Sequence, residues 1–136
     1  MQPINWIDKY ELGIARIDDQ HRYFLELINQ IGKEIGHPDD HAYLLKLLDE
    51  LKAYAKYHFV SEENMMFRAG YPDYEDHKQH HKRLFADLAP KLSLVEIKYS
   101  EENLIRLIDF LVDWFFHHTT SEDKKFAEFL KQKDNV

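Results

Sequence analysis

The chain has no cysteine, which excludes disulfides, iron–sulfur clusters and thiolate zinc sites. Glycine and proline are scarce, four of each in 136 residues, so long stretches run without a breaker and favour helices over many short strands. Basic runs are missing as well. The formal net charge is −7 with histidine neutral, and phosphate binding requires a basic face, so no nucleic-acid partner is expected. No run of about 18 uncharged apolar residues is present, so no membrane span is expected. The opening Met1-Gln2-Pro3-Ile4-Asn5-Trp6 lacks the basic start and apolar run of a signal peptide. These absences lead to the expectation of a soluble, cytoplasmic protein.

What is present is apolar periodicity. With a hydrophobic share of 44%, the chain can bury one core, and a single domain over 1–136 is predicted. Residues 1–17 read as an irregular arm that packs across the rest, since Trp6 would otherwise be exposed. A first helix is predicted from Asp18 or Asp19, both good N-caps. It carries His21, Phe24, Leu25, Ile28 and Ile31 on one stripe, until Gly36-His37-Pro38-Asp39 turns the chain. A second helix, about 40–68, directs Leu44, Leu47, Leu48, Leu51, Tyr54 and Ala55 inward and then His58, Glu62, Met65 and Met66. Gly70-Tyr71-Pro72 breaks it, and Asp73 caps a third helix carrying His77, His81, Leu84, Phe85 and Leu88, which Pro90 should end or kink. Ser100 caps a fourth helix through Leu104, Leu107, Ile108, Leu111, Trp114, Phe115 and His118, loosening at Thr119-Thr120-Ser121. A short C-terminal helix through Phe126, Phe129 and Leu130 docks back. The fold class is all-α: an up-down-up-down four-helix bundle over about 18–120, with the arm at 1–17 and the tail at 121–136.

Nine histidines are many for this length. His58 with Glu62, and His77 with His81, are four apart, which on a helix stacks each pair on one face. Each predicted helix thus brings at least one histidine to its core side. A lone buried imidazole is ordinary, but five converging beside Glu62 are hard to explain without a cation, because an unpartnered buried carboxylate costs several kcal/mol. Imidazole and carboxylate together suit iron or zinc.

These residues resemble the hemerythrin family, especially its bacterial single-domain members. The resemblance runs from Trp6 to about Phe126. It rests on Gly13-Ile14 with Ile17-Asp18-Asp19-Gln20-His21, His58-Phe59 with Glu62, His77 with His81, and Trp114 through His118 with Asp123-Lys124-Lys125-Phe126. It implies a hemerythrin-like domain with a non-haem di-iron centre, joined by a bridging oxo or hydroxo group, that binds dioxygen reversibly. By position, His77, His81 and His118 would ligate one iron, and His21 and His58 the other, with Glu62 and Asp123 bridging. At about six positions per iron, one position stays open on the two-histidine iron, where dioxygen would bind. Phe24, Phe59, Trp114, Phe115 and Thr119 would line the ligand pocket. The implied function is oxygen transport, storage or delivery by a non-enzymatic monomer, with dioxygen as partner and an unidentified protein as possible recipient. The alternatives are an oxygen or redox sensor module, and a di-iron peroxidase, oxidase or nitric-oxide-handling enzyme using the same open site.

Two placements are contested within the sequence. Glu63 lies about 140° off the His58 face, so Glu62 is preferred. Regular helical geometry favours Glu122, four after His118, whereas the family pattern selects Asp123, five after; Asp123 is preferred because Thr-Thr-Ser can bend the chain. Thr119 departs from the apolar residue usual in the family, and faster autoxidation than in Thr119→Ile is expected. His117 is read as supporting a ligand or solvated, and His37, His41 and His80 as surface residues.

Overall fold

The computed structural model describes residues 2–37 and 41–134. Five α-helices follow one another: α1 (Ala15–Gly32), α2 (His41–Ala69), α3 (Tyr74–Ile97), α4 (Glu101–His117) and α5 (Asp123–Asp134). A short 3-10 turn (Asp8–Tyr10) precedes α1, and a π-helical turn (His118–Glu122) joins α4 to α5. No strand occurs among the described residues.

Two apolar clusters explain the arrangement. One gathers Phe24, Ile28, Leu48, Leu51, Ala55, Leu88, Leu104, Leu111 and Phe115 with their neighbours. The other gathers Leu12, Ile17, Met66, Tyr71, Phe126 and Ala127. Each helix of the bundle runs between them. From Ile17, α1 leads past His21 to Phe24, and α2 returns from Ala55 past His58 and Glu62 to Met66. The chain then passes from Tyr71 through His77 and His81 in α3 to Leu88, and α4 returns from Leu111 past His118 to Phe126. The polar residues therefore form a layer between two oily ends, and the alternating direction is the up-down-up-down order itself. Helices α1–α2, α2–α3, α3–α4 and α4–α1 contact in turn and close the ring. Full burial of a Leu, Ile or Phe contributes about 1.5–3 kcal/mol, so each cluster holds the layer firmly from its own side.

The start of α1 differs from the sequence expectation. The helix begins at Ala15, three residues before Asp18, so among the described residues the arm ends at Ile14 rather than at Ile17. Asp18 is not its N-cap. Its buried carboxylate reaches back and accepts hydrogen bonds from the Leu12 N–H at 2.9 Å and the Gly13 N–H at 3.1 Å. Gly13, at φ +84°, takes a left-handed turn that suits glycine. The rest of the arm packs as expected: Tyr10 and Leu12 are buried and Trp6 is half-buried, and Ile4 exchanges backbone hydrogen bonds with the Asn29 amide.

Helix α1 ends at Gly32, ahead of the Gly36-His37 turn; Pro38 and Asp39 lie outside the described residues. Pro90 does not end α3, which continues to Ile97. Pro90 and Ala86 are both on the exposed face, where water can satisfy the Ala86 carbonyl that lacks its helical donor. Ser100 caps α4 as expected, accepting from the Asn103 N–H at 3.0 Å. No helix among the described residues is long and apolar enough to cross a membrane.

Candidate metal centre

Seven side chains from five segments meet in the polar layer, and all are buried: His21 of α1, His58 and Glu62 of α2, His77 and His81 of α3, His118 of the π turn and Asp123 of α5. The two four-residue spacings do what a regular helix requires. The third spacing is different. From His118 the chain winds as a π-helix, and the Asp123 N–H donates to the His118 carbonyl, five residues back. That brings the fifth residue, rather than the fourth, over the first. Asp123 therefore points inward fully buried, while Glu122 is half-exposed and faces Lys125 at 3.4 Å. The Thr120 hydroxyl donates to the Phe116 carbonyl, a local bond that competes with regular helical pairing.

The ligating atoms form two groups. In one, Glu62 Oε1 lies 2.6 Å from His77 Nε2, 3.2 Å from His81 Nε2 and 3.5 Å from His118 Nε2. Asp123 Oδ1 joins this side, 3.0 Å from His118 Nε2 and 3.5 Å from His77 Nε2. In the other, Glu62 Oε2 lies 3.5 Å from His58 Nε2, and Asp123 Oδ2 lies 3.0 Å from His21 Nε2. Both carboxylates thus turn one oxygen to each side. Potential ligand atoms of Glu62, His77, His81 and His118 lie within 4.8 Å of one another, as do those of His21, His58, Glu62 and Asp123.

These atoms suit cations better than each other. His21 Nε2, His58 Nε2, Glu62 Oε2 and both Asp123 oxygens are sealed from solvent and make no aligned hydrogen bond, despite partners 3.0–3.5 Å away. They belong to the two groups of potential ligand atoms that lie within 4.8 Å of one another. A buried carboxylate left so costs several kcal/mol, and a metal ion removes that cost.

Charge follows the same logic. Burial pushes the His58 imidazole down to about 3, outweighing the nearby carboxylates. Burial also opposes charge on His77 and His118, yet Asp123 and Glu62 beside them raise the pair to about 9 and about 10. Glu62 is held well below the usual carboxylate range: burial works the other way, but His118, His77 and His81 prevail. Asp123 is also lowered, against burial and the Glu62 charge, by His118 and His21. Without a cation, protons on His77 and His118 balance the two carboxylates.

The expected pocket residues are at hand. Phe59 stacks on His81 at 4.2 Å between ring centres, and Trp114 on His118 at 5.3 Å. Phe115 meets His21 edge-on at 5.8 Å, and Phe24 meets both Trp114 and Phe115. Thr119 is buried within the π turn.

Three neighbours were missed. The Gln20 carbonyl oxygen accepts from His58 Nδ1 at 2.7 Å, and its amide donates to Ser61 Oγ at 3.0 Å; its only signal is its place beside His21. Glu63, rejected as a ligand, accepts from His81 Nδ1 at 2.8 Å; it lies 18 residues from His81, a distance no helical spacing relates. Such bonds leave Nε2 free for a metal and fix each ring. His80 is not a surface residue: half-buried, it lies nearly parallel to His118 at 5.3 Å, so Trp114 and His80 both stack on His118. His41 is also half-buried, its ring 4.0 Å from that of Tyr99. His37 and His117 are exposed as expected.

Comparison with known proteins agrees with this geometry. Residues 12–130 match the family model described as the hemerythrin HHE cation binding domain. A bacteriohemerythrin of Clostridium acetobutylicum is 31% identical over 127 residues, covering 90% of this chain and 98% of that protein. A myohemerythrin of Theromyzon tessulatum is 26% identical over 125 residues, covering 92% of each. The crystal structure of a hemerythrin carrying a leucine-to-alanine substitution superposes with a TM-score of 0.82 at 26% identity, over 94% of this chain and 97% of that one.

Proposed function

The chain belongs to the hemerythrin family of non-haem iron, dioxygen-binding proteins, and on that premise we propose that it binds dioxygen reversibly at two iron ions, as a carrier or store rather than an enzyme. One observation carries the two-ion reading: Glu62 and Asp123 each offer one oxygen to the side of His77, His81 and His118 and the other to the side of His21 and His58. A single cation would leave half of those oxygens and two Nε2 atoms orphaned. His77, His81 and His118 would hold one iron, His21 and His58 the other, and the two carboxylates both.

Iron held there by these histidines and carboxylates would supply reversible electron transfer to dioxygen. The side chains set the conditions. Five neutral imidazoles against two carboxylates form a weakly anionic set, which stabilises the ferric state less than a carboxylate-rich set does. Gln20 and Glu63 keep Nδ1 protons of His58 and His81 in place. Phe24, Phe59, Trp114 and Phe115 exclude the water and protons that would displace the ligand in a reduced oxygen form.

An enzymatic use has one observation in its favour. A recess of about 290 Å³ over His118 is lined by acid–base groups, His80, His117, Asp113 and Glu122. The ring of His80 stacks on a face of His118, however, so this recess adjoins the ligand ring rather than the ligating Nε2. The deciding experiment is optical. The iron-loaded protein is reduced without air, exposed to oxygen, then purged. A visible band that appears and disappears repeatedly is the carrier result; one-way bleaching with a released product overturns it.

A further inference from the structure

We propose that Trp114, Tyr54 and Tyr23, bridged by Phe24, form a relay that carries single electrons between the metal site and the protein surface. The Trp114 indole lies parallel to His118, ring centres 5.3 Å apart. Phe24 stands 4.8 Å from Trp114, Tyr54 stands 6.4 Å from Phe24, and Tyr23 stands 4.8 Å from Tyr54. In a chain without cysteine, indole and phenol are the side chains most readily oxidised by one electron. The relay draws on α4, α1 and α2 and opens on Tyr23, which is 40% exposed.

The hydroxyl partners give the relay a direction. A phenol that loses an electron also loses its proton. The Tyr54 hydroxyl donates to the Gln20 backbone carbonyl, which cannot keep a proton. The Tyr23 hydroxyl donates to the Glu50 carboxylate, which can. The oxidised site therefore moves outward and comes to rest on Tyr23.

A role follows for a protein that holds iron beside dioxygen. Hydrogen peroxide is reduced to two water molecules with two protons from solvent, one electron coming from the metal and one from the protein. Trp114 yields the protein's electron inward and is refilled from Tyr54 and then Tyr23. The Tyr23 proton passes to Glu50 and on to solvent. The Tyr23 phenoxyl then takes a hydrogen atom from a dissolved thiol, which departs as a thiyl radical. The net change on the protein's side is one electron delivered to the peroxide, and one thiol converted to a thiyl radical and a proton. This role rests on the iron reading above; the relay itself does not, and its test needs no iron.

The test is pulse radiolysis of the iron-free full chain in a Trp6→Phe background, which removes the second indole and its contact with Tyr10. Azide radical oxidises Trp114. The indolyl absorption should decay at a rate independent of protein concentration while phenoxyl absorption grows in step. Tyr54→Phe, which keeps the ring, should abolish that first-order phase. Glu50→Gln, a surface change, should lower the yield of phenoxyl on Tyr23. A radical that stays on Trp114, or transfer unaltered in Tyr54→Phe, overturns the relay; an undiminished Tyr23 yield in Glu50→Gln overturns its outward direction.

Discussion

Glu63 and His81 stand 2.8 Å apart, carboxylate Oε2 to imidazole Nδ1, while His81 Nε2 faces Glu62 on the opposite side of the ring. The outer carboxylate holds the proton that frees the inner nitrogen. Glu63→Gln keeps the shape but reverses or weakens this bond, and iron affinity should fall about 10- to 100-fold. Competition with a chelator measures it, and an unchanged affinity would show that packing against Phe59 alone fixes the ring.

Glu62 and Asp123, which each face both groups of histidines, should govern stoichiometry. Wild type should bind two irons per chain, and Glu62→Ala and Asp123→Ala should each bind fewer. Glu122→Ala, which alters a half-exposed side chain paired with Lys125, should bind as wild type does. Metal analysis of purified, reconstituted proteins decides the matter; full loading of Asp123→Ala with loss in Glu122→Ala would reverse the assignment.

Alkaline pH should loosen the iron-free protein. His77 and His118 are raised from 6.5 to about 9 and about 10 in the folded chain. A raised imidazole contributes stability that is complete below its unfolded value and disappears as pH climbs through the folded one. The melting temperature of the iron-free chain should therefore decline from neutral pH toward pH 10. Glu62 and Asp123 are lowered, so their share is lost only in acid and does not mask the trend. The same protons must leave when metal enters, so loading at pH 7 should release about two per chain from the imidazoles, and more with any bridging group formed from water, into a weakly buffered indicator.

Thr119 is 1% exposed, which makes the bulkier Ile a strained replacement costing about 1–3 kcal/mol. Thr119→Val removes the hydroxyl at nearly constant volume. It should slow the spontaneous decay of the oxygenated form relative to wild type, followed spectrally in air; equal or faster decay would remove any role for the hydroxyl in admitting water.

Pro90→Ala restores a backbone donor inside α3 on its exposed face. It should stabilise the chain by about 1–3 kcal/mol in urea unfolding, with iron content unaltered.

Periodicity and residue type carried much of this molecule into view. The leucine and isoleucine stripes located four helices, and four-residue spacing alone placed His58 over Glu62 and His77 over His81. What stayed hidden was of two kinds. Some features depend on departures from regular winding: Asp123 needed the π turn, which helical arithmetic argues against and only the family pattern recovered. Others depend on contacts between distant segments: Glu63 behind His81, Gln20 behind His58 and His80 over His118 follow from how α1, α2, α3 and α4 lean together. The misplaced start of α1 belongs with these, since Asp18 bonds backward to Leu12 and Gly13, and a good capping residue is not by itself a cap.

The π turn makes Asp123 the first residue of α5, three positions before Phe126, which fills the cluster at the arm end. A ligand candidate and a hydrophobic anchor thus share one turn of the terminal helix. Whatever grips Asp123 also tightens Phe126, so filling the interior should quieten the C-terminal helix, and peeling that helix away should let the metal go. Proteolytic nicking or hydrogen exchange near residues 123–130 would then serve as an external gauge of an occupancy that lies out of reach of solvent.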